Sequence, residues 1–197
     1  MNLPNKLTFF RILLVPIIAL VWLFPYKMFD ISFIVIDMGP TSVSLLNLIV
    51  LALFLISSIT DVLDGTIARN KHMVTTFGKF ADPIADKILI NTIFIIMLSK
   101  SMVPVVPIVL MICRDIVVDG CRMIASTNGK VVSAGFLGKT KTVLQTITII
   151  LILINNLPFE IWGLPISTLL LWLTTFVSIV SGYSYFMQLK SYIFESM

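Results

Sequence analysis

Four aspartates lie within one 26-residue window of the chain, although only ten of its 197 residues are acidic. They are Asp61, Asp64, Asp82 and Asp86, and each stands at the edge of an apolar run. Their carboxylates offer oxygen ligands only, which suit hard divalent cations such as Mg²⁺ or Mn²⁺ better than zinc. Two such ions that share carboxylates are the arrangement used for phosphoryl-type displacement. The window therefore indicates metal-assisted chemistry of that type.

The spacing of the aspartates divides them into two pairs. If the apolar run before the window continues as a helix, Asp61 and Asp64 share one face, and Asp82 and Asp86 share a face of the next helix. Residues 65–81 are long enough to reverse the chain and bring the two faces together. Alternatively, Asp61 and Asp82 could each begin a helix as caps. Capping alone does not explain the spacing of all four.

The composition is that of a membrane protein. Hydrophobic residues make up 58% of the chain and charged residues 12%, whereas soluble domains are about one quarter charged. The apolar residues form long runs rather than the alternating pattern of barrel strands, so helices must satisfy the backbone in lipid. Cys113 and Cys121 lie in apolar surroundings and are expected to be packing residues. We predict an all-α, polytopic integral membrane protein with one domain over residues 1–197.

Six apolar runs are candidates for transmembrane helices, which need roughly 20 residues. The first and the fifth reach that length only with their amphipathic flanks. The predicted spans are Ile12–Phe24, Val43–Thr60, Pro83–Ser99, Val103–Val118, Val143–Asn155 and Leu164–Met187. With a cytoplasmic amino terminus, twelve lysines and arginines fall at or near that side, and only Lys27 and Lys100 fall opposite. Positive charge is enriched in cytoplasmic loops, so both termini are predicted to be cytoplasmic. The aspartates also require positive charge among them, because each intramembrane carboxylate costs about 2.5 to 3.5 kcal/mol.

The aspartate window carries eight fixed residue types at fixed spacing: Asp61, Asp64, Gly65, Ala68, Arg69, Gly78, Asp82 and Asp86. This pattern resembles the signature of the CDP-alcohol phosphatidyltransferase family, and every position of that signature is filled. The chain length and the layout of six spans are also similar to those of the family. The resemblance therefore covers essentially the whole chain.

The resemblance implies transfer of a phosphatidyl group from CDP-diacylglycerol to an alcohol, with release of CMP. It implies two Mg²⁺ or Mn²⁺ ions whose ligands are Asp61, Asp64, Asp82 and Asp86. Asp86 would also be the general base that accepts the proton of the acceptor hydroxyl. The implied CDP-diacylglycerol ligands are Gly65, Ala68, Arg69, Gly78 and Asn5. A homodimer is implied as well, with its site at the cytoplasmic face of a bacterial plasma membrane.

Two further segments are similar to the branch of the family whose acceptor is sn-glycerol 3-phosphate. They are residues 2–11 and residues 114–122, the latter continued by residues 138–142. An anionic acceptor suits a cationic set, in which arginines offer bidentate contacts and lysines offer point charges. The predicted acceptor-phosphate ligands are Arg114, Arg122, Lys139, Lys141 and Thr8. Asp115 and Asp119 could simply pair with the two arginines.

Several of these residues have a structural alternative. Lys139 and Lys141 precede the fifth span, where the topology rule alone would place lysines. Asn5, Thr8 and Arg11 could cap and flank the first helix rather than contact a ligand.

Two alternative functions also follow from the residues. The same family chemistry could use another acceptor, such as inositol phosphate, serine or phosphatidylglycerol. A small cation-coupled transporter could use buried aspartates, but its site usually lies near the midplane between paired broken helices. Here the four aspartates gather at one face. The predicted partners are CDP-diacylglycerol, sn-glycerol 3-phosphate and membrane lipids, and no nucleic acid.

Overall fold

Six α-helices make up most of the described part of the chain. The computed structural model describes residues 2–70, 75–127 and 135–195, and for residues 68–70, 76–77, 79–80, 126–127 and 191–195 it describes the backbone alone. The helices are α1 Leu3–Leu23, α2 Leu45–Asn70, α3 Thr76–Ser99, α4 Val105–Thr127, α5 Phe136–Leu153 and α6 Ile166–Glu195, with short 3₁₀ helices at Tyr26–Phe29 and Phe159–Trp162. Each α-helix overlaps one predicted apolar run.

Four of the described helices are long and apolar enough to cross a membrane: α1, residues 45–67 of α2, α5, and residues 166–190 of α6. The 24 residues of α3 and the 23 of α4 reach about 36 and 35 Å at 1.5 Å per residue. That length exceeds a hydrocarbon core of about 30 Å. Both helices carry several ionisable side chains, however, so they are not among the four apolar helices. The four apolar helices support an α-helical membrane protein, whereas six spans remain a prediction.

Capping interactions set where α1 and α3 begin. The side chain of Asn2 accepts a hydrogen bond from the backbone N–H of Asn5 at 3.3 Å. The hydroxyl of Thr75 accepts one from the backbone N–H of Gly78 at 3.0 Å. Asparagine and threonine are favoured at this position because their side chains satisfy an N–H that the helix leaves free. The first helix consequently starts well before its apolar run.

All four aspartates of the window lie inside helices. α2 continues to Asn70 and carries Asp61 and Asp64, while α3 carries Asp82 and Asp86. Each pair is about one turn apart, so its members share a face. Neither Asp61 nor Asp82 begins a helix, so the capping alternative is wrong.

A short β-hairpin between α1 and α2 departs from the all-α prediction. Strand β1 (Val35–Asp37) pairs with the antiparallel strand β2 (Ser42–Ser44), with Ile36 opposite Val43. The turn includes Gly39 at a φ of +81°, a conformation that glycine adopts because it has no Cβ. Strands of three residues are too short to show an alternating pattern, so the sequence does not predict them.

The helices form two groups of three. α1 packs mainly against α2 and α3, and α6 packs mainly against α4 and α5. Their shared core contains Ile18, Trp22, Phe54, Ile93, Phe94, Met97, Ile149 and Leu153. Side-chain contacts bring the beginnings of α1, α3 and α5 to the same end as the later parts of α2, α4 and α6. Lys27 and Lys100 line a cavity at the other end.

The helices α4 and α6 approach each other closely at Gly182. A Cβ at this position would lie 2.8 Å from Cγ of Arg114. Withdrawal of Arg114 is costly, because its Nε donates to the carbonyl oxygen of Ser178 at 3.0 Å and its Nη2 donates to the hydroxyl of Ser181 at 2.7 Å. The glycine therefore provides the space in which Arg114 lies along α6.

We expect Gly182→Ala to lower the midpoint of thermal unfolding, even though alanine is the better helix former by about 1 kcal/mol. The added methyl group displaces Arg114, and overpacking of this kind costs about 1 to 3 kcal/mol. Gly120→Ala in α4 is the matched control, since a Cβ there meets no atom within 4 Å. The control should keep or raise the midpoint measured in detergent. Equal midpoints for the two variants would contradict the confinement of Arg114.

Candidate active site

Arg11 lies at the centre of the aspartate cluster. Its side chain is fully buried, with Nη1 donating to Oδ1 of Asp61 and Nη2 donating to Oδ2 of Asp64. The two aspartates are one turn apart on α2, so the fork of one guanidinium reaches both. Arg11 therefore supplies the positive charge expected among the aspartates, instead of merely flanking the first helix.

Thr8 connects the two pairs of aspartates. Its hydroxyl donates to Oδ1 of Asp82 at 2.6 Å and lies 3.5 Å from Oδ2 of Asp64. A threonine hydroxyl carries one hydrogen, so the shorter contact is the main hydrogen bond. Thr8 was predicted to bind the acceptor phosphate, but it lies among the carboxylates of α2 and α3. Its position follows from α1, because Thr8 precedes Arg11 by one turn of the same helix.

Asp86 lies between two cavities. One cavity of about 460 Å³ is lined by Ser57, Asp61, Asp86 and Lys139, among others. The other cavity, of about 210 Å³, is lined by Asp86 together with Arg114, Arg122, Lys141 and Tyr185. A carboxylate in this position can face the aspartate cluster on one side and a cationic pocket on the other.

The aspartates have the right chemistry for a divalent cation, but they are not grouped as a finished metal site. Across the described ranges, no three histidine, cysteine, aspartate or glutamate side chains are arranged to hold a metal ion. The positive group that Asp61 and Asp64 hold is the guanidinium of Arg11. Carboxylate oxygens are nevertheless the donors that hard cations such as Mg²⁺ or Mn²⁺ prefer. The metal site stays a prediction.

The smaller of these two cavities, which we call the cationic cavity, brings together three of the predicted phosphate ligands: Arg114, Arg122 and Lys141. Arg114 is already engaged, because its three nitrogens donate to Ser178, Ser181 and Asp115. The ammonium group of Lys141 is paired with both carboxylate oxygens of Asp115. Asp115 therefore holds both Arg114 and Lys141 in place. The pairing with Arg114 was predicted, and the pairing with Lys141 was not.

The pairing predicted for Asp119 is wrong, and the structure places Lys139 apart from the other predicted cationic phosphate ligands. Asp119 pairs with Lys87 of α3 and not with an arginine of its own helix. Lys139 is exposed and lines the larger cavity with Asp61 and Asp86, on a different wall from the other cations. Lys87 and Tyr185 also line the cationic cavity. The sequence gives no signal for these two, because their place depends on how α3, α4 and α6 are rotated against one another.

The predicted CDP-diacylglycerol ligands are described in part. Gly78 is buried next to Asp82, and a Cβ on it would lie 3.7 Å from Oδ2 of Asp82 and 3.4 Å from Oδ1 of Asn5. Asn5 accepts a hydrogen bond from the hydroxyl of Thr75 at 2.9 Å, so these residues form one corner beside the aspartates. Gly65 directly follows Asp64 on α2. The side chains of Ala68 and Arg69 lie outside the described part of the chain.

We expect Arg11→Met to destabilise the protein strongly. Asp64 is almost fully buried, and removal of one partner from a buried ion pair costs about 3 to 5 kcal/mol. Adding Asp64→Asn to Arg11→Met should recover part of this loss, because the amide leaves no buried charge to neutralise. Unfolding in detergent measures both effects.

Lys6→Met is the matched control for this substitution. Lys6 lies on the same helix and is exposed, so its replacement should change the stability by less than about 0.5 kcal/mol. If Arg11→Met were as stable as this control, the guanidinium would not be the charge that allows α2 to bury Asp64.

Comparison with known proteins agrees with the resemblance of the motif. The family model described as CDP-alcohol phosphatidyltransferase matches residues 1–180. A CDP-diacylglycerol–glycerol-3-phosphate 3-phosphatidyltransferase of Bacillus subtilis (strain 168) is 40% identical over 94% of this chain and 93% of its own length. A protein of the same name from Rickettsia bellii (strain RML369-C) is 36% identical over 97% of both chains. With a match over nearly the whole length, the chain belongs to the CDP-alcohol phosphatidyltransferase family.

Proposed function

We propose that the protein transfers the phosphatidyl group of CDP-diacylglycerol to sn-glycerol 3-phosphate, which gives phosphatidylglycerophosphate and CMP. The observation that carries this proposal is the position of Asp86, which lines both the cavity shared with Asp61 and the cationic cavity. A nucleotide-linked lipid and an anionic alcohol need two such neighbouring sites. The names of the relatives from Bacillus subtilis and Rickettsia bellii support the same donor and acceptor.

We assign the role of general base to Asp86. The acceptor hydroxyl must lose its proton as it attacks the phosphorus atom of the donor, and a carboxylate within hydrogen-bond reach can accept that proton. Asp86 adjoins the cationic cavity, where the acceptor's phosphate would be bound. The new bond forms between the acceptor oxygen and the β-phosphorus of the donor, and the bond from that phosphorus to CMP breaks.

Asp61, Asp64 and Asp82, with Asp86, are the proposed ligands of two Mg²⁺ or Mn²⁺ ions. Such ions neutralise the pyrophosphate and stabilise the charge on the departing CMP. Arg11 already pairs with Asp61 and Asp64, so the guanidinium and the ions would share these carboxylates. Thr8 orients Asp82 through its hydroxyl.

The cationic cavity is the proposed site of the acceptor phosphate. Arg122 and Lys141 are the ligands we favour, with Lys139 approaching from the neighbouring cavity. Arg114 contributes charge and builds the wall, since its hydrogen bonds tie α4 to α6. Serine, which has no phosphate, would offer no anionic group of that kind to Arg122 and Lys141. The cluster at one end of the bundle also favours an enzyme over a transporter.

We further propose six membrane spans with both termini in the cytoplasm and a homodimeric assembly in the plasma membrane. Lys27 and Lys100 line one cavity at the end opposite the aspartates. This position supports the orientation, because the end with few lysines and arginines belongs outside. The site then lies at the cytoplasmic headgroup level, where a nucleotide in water can meet a lipid in the bilayer.

We expect the purified protein to release CMP from CDP-diacylglycerol only when sn-glycerol 3-phosphate and a divalent cation are both present. Chelation should stop the release, and added Mg²⁺ or Mn²⁺ should restore it. A CMP assay in detergent micelles measures this dependence. Turnover with serine or myo-inositol but not with glycerol 3-phosphate would refute the acceptor assignment, and turnover in excess chelator would refute the metal dependence.

Asp86→Asn should lower turnover by about 10² to 10⁴, the usual contribution of general-base assistance, with further loss from any metal contact. Binding of CDP-diacylglycerol should largely survive, because Asp61, Asp64 and Asp82 remain. Asp64→Asn should instead weaken donor binding and metal dependence together. Turnover and donor affinity are measured for each variant in parallel.

Asp37→Asn serves as the control for these variants. Asp37 is an exposed aspartate of β1, in the hairpin that joins the other ends of α1 and α2. Its neutralisation should change neither turnover nor the affinity for CDP-diacylglycerol. Near-normal turnover of Asp86→Asn would exclude Asp86 as the base.

A further inference from the structure

Tyr185 joins three helices at the wall of the cationic cavity. It lies on α6, is 4% exposed, and lines the cavity. Its hydroxyl oxygen accepts a hydrogen bond from Nη2 of Arg122 on α4 at 2.7 Å, and another from the backbone N–H of Gly135 just before α5. Two accepted hydrogen bonds use both lone pairs of a phenol oxygen. One buried hydroxyl thus links α4, α5 and α6.

Arg122 depends on Tyr185 for its orientation. The guanidinium carbon lies 4.6 Å from the centroid of the tyrosine ring, within the range of a cation–π interaction. Among the described residues, Nε of Arg122 is buried without a hydrogen-bond partner. Ring and hydroxyl of the same tyrosine therefore hold this guanidinium. Arg114 lies farther from that ring, at 5.9 Å from its centroid, and its hydrogen bonds go to Ser178, Ser181 and Asp115 instead.

Tyr185 also sets the position of the first turn of α5. A Cβ on Gly138 would lie 3.3 Å from the tyrosine hydroxyl oxygen, so the helix packs directly on that oxygen. Lys139 and Lys141 follow on the same turn and line the two cavities. The hydroxyl therefore fixes an arginine on one side of the cationic cavity and the start of the lysine-bearing helix on the other.

We propose that Tyr185 is a positioning residue for the acceptor: it contacts no substrate, and its hydroxyl holds Arg122 and the start of α5 where they bind the acceptor's phosphate. The identity of the acceptor rests on the proposed function. The positions of Arg122 and α5 around Tyr185, and the affinity of the cationic cavity for a phosphate group, do not depend on the proposed function.

The test is Tyr185→Phe, which keeps the ring and removes the hydroxyl. Loss of a hydrogen bond to a charged group weakens an interaction by roughly tenfold or more, so the KM for glycerol 3-phosphate should rise about tenfold. The KM for CDP-diacylglycerol and kcat should stay within about twofold. Tyr183→Phe is the matched control, because Tyr183 lies on the same helix and is 65% exposed. This variant should match the parent protein in both KM values and in kcat.

A double-substitution cycle separates positioning from general packing. In an Arg122→Gln background the arginine is already lost, so adding Tyr185→Phe should raise the acceptor KM much less than it does in the parent protein. Fully additive effects of the two substitutions would overturn the proposal. So would an unchanged acceptor KM in Tyr185→Phe, or a parallel loss in both KM values and kcat.

Protection against thermal unfolding by inorganic phosphate tests the cavity without turnover. Phosphate should protect the parent protein and Tyr183→Phe, and should require about tenfold higher concentration to protect Tyr185→Phe. If phosphate behaves in this way but glycerol 3-phosphate is not a substrate, the proposed function fails and the role of Tyr185 stands. Equal protection of Tyr185→Phe and Tyr183→Phe, or protection of neither the parent protein nor the variants, overturns the role of Tyr185.

Discussion

The buried contact between Arg11 and the aspartates of α2 is the interaction on which the aspartate-bearing end of the bundle depends. Carboxylates at the end of an apolar helix are expensive to bury unless a cation neutralises them. Arg11 reaches both Asp61 and Asp64 with one guanidinium, and Thr8, one turn earlier, reaches Asp82 of α3. One face of α1 therefore holds α2 and α3 together at their acidic ends.

Charge is divided between the two groups of helices. α2 and α3 provide the acidic cluster, which α1 contacts through Arg11 and Thr8. α4 and α5 provide the cations that surround Asp115 of α4 and Tyr185 of α6. The two groups meet at Asp86, and the ion pair between Lys87 and Asp119 joins α3 to α4 beside it. This division places a cluster of carboxylates next to a positively charged cavity, with the carboxylate of Asp86 at the boundary.

Spacing along the sequence predicted the features that depend on single helices. The six helices, the shared faces of the aspartates and the need for a cation among them all follow from local periodicity. Local periodicity does not identify Arg11 as that cation, because Arg11 and Asp61 are fifty residues apart and meet only when α1 packs on α2. The same limit applies to the contacts of Arg114 with Ser178 and Ser181 on α6 and to those of Tyr185. The β-hairpin was missed for another reason, since its strands are only three residues long.

The order of the helices, with Arg11 on α1 ahead of the aspartates on α2, has a consequence for biosynthesis. Polypeptides emerge amino terminus first, so α1 leaves the ribosome before Asp61 and Asp64 do. The guanidinium is then already present when α2 arrives, and the insertion of its carboxylates is assisted by a partner that synthesis has delivered in advance. A chain with the same helices in a permuted order, with α1 last, would have to insert α2 while its two carboxylates still lacked this counterion.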